Sequence, residues 1–199
     1  MDTRVILASA NPGKLRELQG LLAPLRWELI PQQQLRIAPA AETGATFREN
    51  ALLKARHAAL AGRLPALADD SGIEVDALGG RPGVRSARYA GEHAVDRENL
   101  DKLLAELRGV APEDRRARYR CVIVYLRSPA DSCPLIAEGL WEGTIALTPR
   151  GAGGFGYDPI FVPQGEARTA AELAPAEKDA LSHRARALSS LLAQLQGLT

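Results

Sequence analysis

The chain has 199 residues, 46% apolar and 25% charged, which suits a soluble globular protein that buries one substantial core. Twenty-five basic residues against twenty-four acidic ones leave a net charge of +1, so no global field draws it to nucleic acid or anionic membrane, and any basic site is local. Cys121 and Cys133 match no zinc or redox spacing and are too few for a disulfide scaffold; with no signal-peptide segment and no apolar run of about eighteen residues, the expectation is a cytoplasmic protein.

In chain order, Val5, Ile6, Leu7 and Ala8 predict a short buried strand, and leucines at 15, 18, 21 and 22 have helical spacing after it. Residues 27–30 predict a second strand, and 46–60 a helix opened by Thr46 with Glu49 three positions on, the capping-box pattern. A third strand over 64–68 is expected to end in Asp69-Asp70-Ser71-Gly72. Beyond a loop rich in Gly, Pro and Arg at 79–91, the leucines at 100, 103, 104 and 107 predict a helix over 99–107. Residues 119–126 and 135–147 predict longer strands, paired in a hairpin across 128–134. A glycine-rich loop at 151–156, a short strand at 159–162 and a C-terminal helical region follow. In that region Leu181, Ala185, Leu188, Leu192 and Leu195 form a core-facing stripe. No internal repeat or linker interrupts the chain, so the expectation is a single α/β domain over 1–199.

Ser9, Ala10, Asn11, Pro12, Gly13 and Lys14 join the first strand to the first helix, where free backbone N–H groups and the helix dipole favour an anion. Asn11 suits the cap and Pro12 the first helical position. Lys14 in the first turn works against the dipole unless an anion lies between them; the other reading is a capped helix with a solvated lysine. Asp69 and Asp70, at the expected C-terminal end of a parallel strand, occupy the place where open α/β sheets bind ligands. Alternation sends them to opposite faces, so one can meet a ligand while the other braces the loop, unless they simply cap a turn at Ser71-Gly72. Glu42 is a second candidate acid or an exposed loop glutamate. One carboxylate with substrate phosphates and water suffices for Mg²⁺.

Gly151-Ala152-Gly153-Gly154-Phe155-Gly156 matches G-x-G-x-x-G, but Tyr157-Asp158-Pro159 and a strand follow it where a dinucleotide fingerprint needs a helix. Its glycines let the backbone approach a ligand, and Phe155 and Tyr157 offer flat faces for a base; a tight turn with core aromatics is the alternative. Thr169-Ala170-Ala171-Glu172 is a capping box. On one continuous C-terminal helix, Lys178 and Arg184 flank the apolar stripe and His183 points away from it. If a helix begins at Ser182 as N-cap, Lys178 and His183 can reach a ligand from a loop. His57 and His93 have no better claim, and three dispersed histidines give no zinc pattern. The arginines at 115, 116, 118 and 120 read as a solvated strand face, not a nucleic-acid site.

Six motifs in register carry a resemblance: Ser9-x-Asn11-x-x-Lys14, Glu42-Thr43-Gly44-x-Thr46-Phe47-x-Glu49-Asn50-Ala51, Ala68-Asp69-Asp70-Ser71-Gly72, Pro82-Gly83-Val84-x-Ser86-Ala87-Arg88-Tyr89, Gly153 through Phe161, and Ser182-His183-Arg184. Together they resemble the inosine/xanthosine triphosphate pyrophosphatase family over nearly the whole chain. The resemblance implies a homodimer of two-lobed α/β subunits, with an elongated, strongly twisted mixed sheet flooring a substrate cleft between the lobes. It implies Mg²⁺-dependent hydrolysis of ITP, dITP and XTP to monophosphate and pyrophosphate, which clears them from the nucleotide pool. By that likeness Ser9 to Lys14 cradle the triphosphate, Asp70 is proton acceptor and metal ligand, Glu42 is a second metal ligand, and Ser71 contacts substrate. Phe155, Gly156, Tyr157, Asp158, Lys178, His183 and Arg184 shape the nucleoside pocket. Relatives often carry two acids before Thr-Gly; here position 41 is alanine, which leaves the role to Glu42. Inosine and xanthosine present a 6-oxo acceptor where adenosine presents an amino donor, so donors from His183, Arg184 or backbone N–H would be left unpaired by adenine. The competing expectations are a regulatory module that binds nucleotides without hydrolysing them and a pyrophosphatase of modified pyrimidine nucleotides.

Overall fold

The computed structural model describes residues 4–9 and 11–197. Strands are β1 (Arg4–Leu7), β2 (Glu28–Pro31), β3 (Ala66–Val75), β4 (Arg116–Leu126), β5 (Leu135–Ile145) and β6 (Phe161–Pro163). Helices are α1 (Pro12–Leu22), α2 (Phe47–Gly62), α3 (Asp96–Glu106), α4 (Pro175–Leu181) and α5 (His183–Gln196). The six strands form an open sheet in the order β2-β1-β3-β4-β5-β6. β1 runs parallel to β2 and β3, and β5 antiparallel to β6, so the sheet is mixed and the α/β class is as expected. The 127–134 connection is shorter than the dozen or so residues a parallel crossover needs, which makes β4 and β5 the expected hairpin.

The chain divides into two compact units. The first comprises Met1–Asp70, Cys121–Gly139 and Arg184–Thr199; the second Ser71–Arg120 and Leu140–His183. Each has its own apolar core.

In the first unit Val5, Leu7, Leu18, Leu22, Leu67, Ile123, Leu188 and Leu191 are buried together, and Trp27 stacks on Tyr125 at 4.8 Å. At roughly 1.5–3 kcal/mol for each large side chain, these dominate the stability of the unit. α1 begins where expected because Asn11 Oδ1 accepts from the Gly13 and Lys14 amides at 2.8 and 3.1 Å. α2 begins at the expected capping box and buries Ala51, Ala55, Ala58 and Ala59. Its last residue, Gly62, is packed closely on Ile6: a Cβ there would stand 2.3 Å from Ile6 Cδ1, and the isoleucine would have to shift to admit it.

The second unit buries Ile73, Val75, Leu100, Leu103, Leu107, Tyr119, Trp141 and Phe161. α3 starts three residues before the predicted 99–107 segment, because Glu98 accepts from the Val95 amide at 2.9 Å and so closes the first turn. Alternation places Arg116, Arg118 and Arg120 on one face of β4, but Arg115 departs from the expected solvated face. It is buried and donates to the carbonyls of Leu107, Val110 and Ala146.

Two further expectations are corrected. β3 does not end at Asp69-Asp70 but runs on to Val75, so the two aspartates are strand residues and not caps of a turn. The single C-terminal stripe also breaks, in favour of the alternative in which a new helix begins at Ser182: Ser182 is extended (φ −65°, ψ 158°) between α4 and α5, which leaves Leu181 exposed while Ala185 and Leu188 stay buried. A periodicity count reads through such a break because one residue of extended backbone leaves no mark in the hydrophobic pattern.

Candidate active site

The predicted residues gather into two clusters, one in each unit. In the first unit, β1 ends at Leu7 while β3 continues past its pairing with Leu7 at Leu67. Asp69 and Asp70 therefore lie just beyond the carboxyl end of the parallel pair, the location that favours ligands in such sheets. Alternation turns them to different partners. Asp69, fully buried, meets Lys14 Nζ at 3.0 Å and Arg184 Nε at 3.6 Å, and Arg184 also binds Glu17 of α1. Burial alone would raise the Asp69 pKa, but Lys14, Arg184 and Lys54 outweigh it and hold the carboxyl well below the usual range. The anion that Lys14 needs in the first turn of α1 is thus, in this structure, a carboxylate of the protein itself.

Asp70 turns toward α2. Lys54 Nζ stands 2.8 Å from Asp70 Oδ1 and 3.0 Å from Glu42 Oε1, so one ammonium joins the two candidate acids. Asn50, one turn earlier on α2, donates to Asp70 Oδ2 at 3.3 Å and accepts from the Gly44 amide at 2.8 Å. Burial raises the Asp70 pKa above its ordinary value, against the pull of Lys54 and Lys14. Burial pulls the Lys54 ammonium the other way, but Asp70, Asp69 and Glu42 prevail and raise its pKa, so it stays charged.

The segment before α1 differs from expectation in one respect. Among the described residues the N–H groups of Asn11, Gly13 and Lys14 are not free: Asn11 Oδ1 takes those of Gly13 and Lys14, and Ser9 Oγ accepts from Asn11 N at 3.3 Å. An anion here would meet side chains first. Ala10 lies outside the described residues, and for Pro12 only the backbone is described.

In the second unit the buried carboxylate is Asp158. Its Oδ2 accepts from Lys178 Nζ at 2.6 Å and from the Phe155 amide at 2.9 Å, and its Oδ1 from the Tyr119 hydroxyl at 3.1 Å. Lys178 Nζ also lies 4.9 Å from the centroid of the Phe155 ring. The His183 ring stacks on Tyr119 at 4.6 Å with 6° between the planes, backed by Trp141. Gly156, at φ +63°, donates its amide to Asp96 of α3 at 2.7 Å. Ser71 is half-buried on β3.

Several placements differ from the sequence reading. Lys178 comes from the short helix α4 and not from a loop, and His183 is buried as the first residue of α5. Arg184 falls in the first unit, where it pairs with Glu17 and approaches Asp69. Tyr157 offers no open face: it is a core residue whose hydroxyl donates to Ser86 O at 2.8 Å. The 151–156 loop opens no helix, so no dinucleotide fingerprint is present there.

Sequence reasoning gave no role to Asn50, Lys54, Glu17, Tyr119 or Asp96. For the α2 pair a signal existed: Asn50 and Lys54 are spaced i, i+4 beside a stripe of buried alanines, where a polar residue must find a partner.

As for a metal, among the described residues no three His, Cys, Asp or Glu side chains converge on one point. Glu42 and Asp70 do converge, on the ammonium of Lys54. Two carboxylates fit Mg²⁺, which takes one or two from protein and the rest from phosphates and water.

Fold and site together define an α/β protein with an acid–ammonium centre at the carboxyl ends of parallel strands. The sequence model of the Ham1 family matches residues 5–194, and the chain belongs to that family. It is 56% identical over 199 residues to a dITP/XTP pyrophosphatase of Methylococcus capsulatus, covering 100% of this chain and 99% of that one. It is also 56% identical over 189 residues to a dITP/XTP pyrophosphatase of Erwinia tasmaniensis, with 95% and 92% covered. The solved structure of a HAM1 protein from Coxiella burnetii superposes with a TM-score of 0.89 at 50% identity, covering 98% of each chain.

Proposed function

We propose that this chain hydrolyses deaminated purine nucleoside triphosphates, ITP, dITP and XTP, to the monophosphate and pyrophosphate, and so removes them from the nucleotide pool. The observation that carries the reading is the bridge from Lys54 to both Asp70 and Glu42, in a chain that matches dITP/XTP pyrophosphatases over its full length. Glu42 and Asp70 would hold Mg²⁺, which when bound would neutralise charge on the phosphate oxygens.

The chain's own groups divide the remaining work. Asp70, held at both oxygens by Lys54 and Asn50, accepts the proton of the attacking water as it approaches the α-phosphorus. Burial raises its pKa, which makes its ionised form a better base than an ordinary carboxylate. Lys14 offsets charge on the departing pyrophosphate, and Asp69 keeps its ammonium in place beforehand. Ser9 and Asn11 contribute a hydroxyl and an amide to the triphosphate end. Phe155, Gly156, Lys178 and His183 serve the base, with Asp158 as the counter-ion that orders them. The same reading makes the protein a cytoplasmic homodimer. No helix among the described residues is long and apolar enough to cross a membrane.

The test is a panel of ITP, XTP, ATP, GTP, dCTP and dTTP with Mg²⁺, with products separated by chromatography. Monophosphate and pyrophosphate from ITP and XTP are expected. Diphosphate and orthophosphate would move the attack to the γ-phosphorus, and binding without turnover would leave a regulatory module.

A further inference from the structure

We propose that Asp96 is a positioning residue for base binding: its carboxylate, fixed at the first turn of α3, holds the 153–156 loop by the Gly156 amide. The proposal rests on the reading that this loop meets the base.

The loop needs such a post. Gly151, Ala152, Gly153 and Gly154 are exposed, and Gly151, Gly154 and Gly156 take φ of +78°, +72° and +63°. A segment this rich in glycine loses more conformational entropy on ordering than any other composition. Two carboxylates hold it. Asp158 works from inside, on the Phe155 amide, and Gly154 is packed so tightly on it that an added Cβ would stand 2.1 Å from Asp158 Oδ2. Asp96 works from outside on the next amide, reaching across sixty positions of sequence at 2.7 Å. Phe155 is thus held between two anchored amides, which fixes where its ring lies beside Lys178.

Asp96 is suited to the task because its own support is rigid. α3 is nailed down by buried Leu100 and Leu103, and by Asn99, which accepts from the Ala90 amide at 2.8 Å and donates to Ala87 O at 3.1 Å. A carboxylate at the N-terminus of a helix is stabilised by the dipole, so it accepts as an anion and its hydrogen bond is of the stronger, charge-assisted kind. Asp96 is itself exposed and outside the core, so its loss leaves packing intact.

The experiment compares wild type, Asp96→Ala and Asp96→Asn by hydrogen exchange and by steady-state kinetics on XTP and ATP. In Asp96→Ala, exchange should quicken over 151–157 and little elsewhere, KM for XTP should rise about tenfold, the loss of one charge-assisted hydrogen bond, and kcat should stay within about twofold. Asp96→Asn, whose neutral amide oxygen can accept the same bond without the charge, should restore both in part. Unchanged exchange in Asp96→Ala, an unchanged KM, or no rescue by Asn would overturn the proposal, as would equal loss of kcat and KM with a lowered Tm. A wild type that hydrolyses neither XTP nor dITP would overturn the functional reading and Asp96's part in base binding with it. The exchange arm would still report whether the tether exists.

Discussion

Each unit of the molecule buries carboxylates, Asp69 and Asp70 in the first and Asp158 in the second, but in different company. Asp69 in the first is met by ammonium and guanidinium groups from α1 and α5, while Asp158 in the second is met by one ammonium, one phenol and one backbone amide. The first arrangement gathers full charges that a polyanionic ligand could redistribute. The second uses a charge to fix flat rings and a loop, which is geometry for shape and hydrogen-bond recognition. On the proposed function, chemistry and selectivity would fall to different side-chain types as well as to different stretches of chain.

Substitutions can break this comparison, beginning with the largest effect. Asp70→Asn preserves shape but removes the base, so kcat on XTP should fall about a thousandfold with little change in KM; near wild-type turnover would remove Asp70 from the chemistry. Asp69→Asn strands Lys14 and Arg184 without their shared anion, and urea unfolding should show a loss of about 3–5 kcal/mol. Tyr119→Phe keeps the stack on His183 and removes one hydrogen bond to Asp158. Stability should fall by about 1 kcal/mol, and selectivity for XTP over ATP should fall while kcat on XTP holds. Leu181→Ser, on the exposed turn before Ser182, should change stability by less than about 0.5 kcal/mol, whereas a core stripe position would lose several times that.

Acid sharpens the contrast between the neighbouring aspartates. The Asp70 value is raised, so activity that needs its ionised form falls as pH drops through a point above the ordinary 3.8. The Asp69 value is lowered: its stabilisation is complete above the ordinary value and is lost only as pH falls through the depressed one. Activity should therefore vanish reversibly while far-ultraviolet circular dichroism still reports a folded chain. Coincident loss would tie the two residues to a single titration.

Much of the frame was legible because local rules governed it. The Asn11 and Thr46 caps, the leucines of α1, and the β4–β5 hairpin need only neighbours in sequence to be deduced. Asp69 and Asp70 were legible as candidates but not as strand residues, because β3 continues through them on tertiary pairing that an acidic pair and a glycine do not advertise. Arg115 looked like its solvated neighbours since nothing local says that three carbonyls await it. Likewise Asp96 and Gly156 meet only once the chain has folded, and no spacing rule reaches so far.

The order of segments has a consequence for synthesis. The second unit is complete once His183 has been made, whereas the first begins with Met1 and waits for Arg184, Leu188 and Leu191 of the last helix to fill its core and answer Asp69. In sequence order the later-starting unit has all its segments first, and the earliest residues of the first unit find their last core partners only in α5. A chain truncated before Arg184 would lack Leu188 and Leu191 of the first unit's core and the guanidinium that answers Asp69, so the first unit is the one expected to become a substrate for chaperones and proteases.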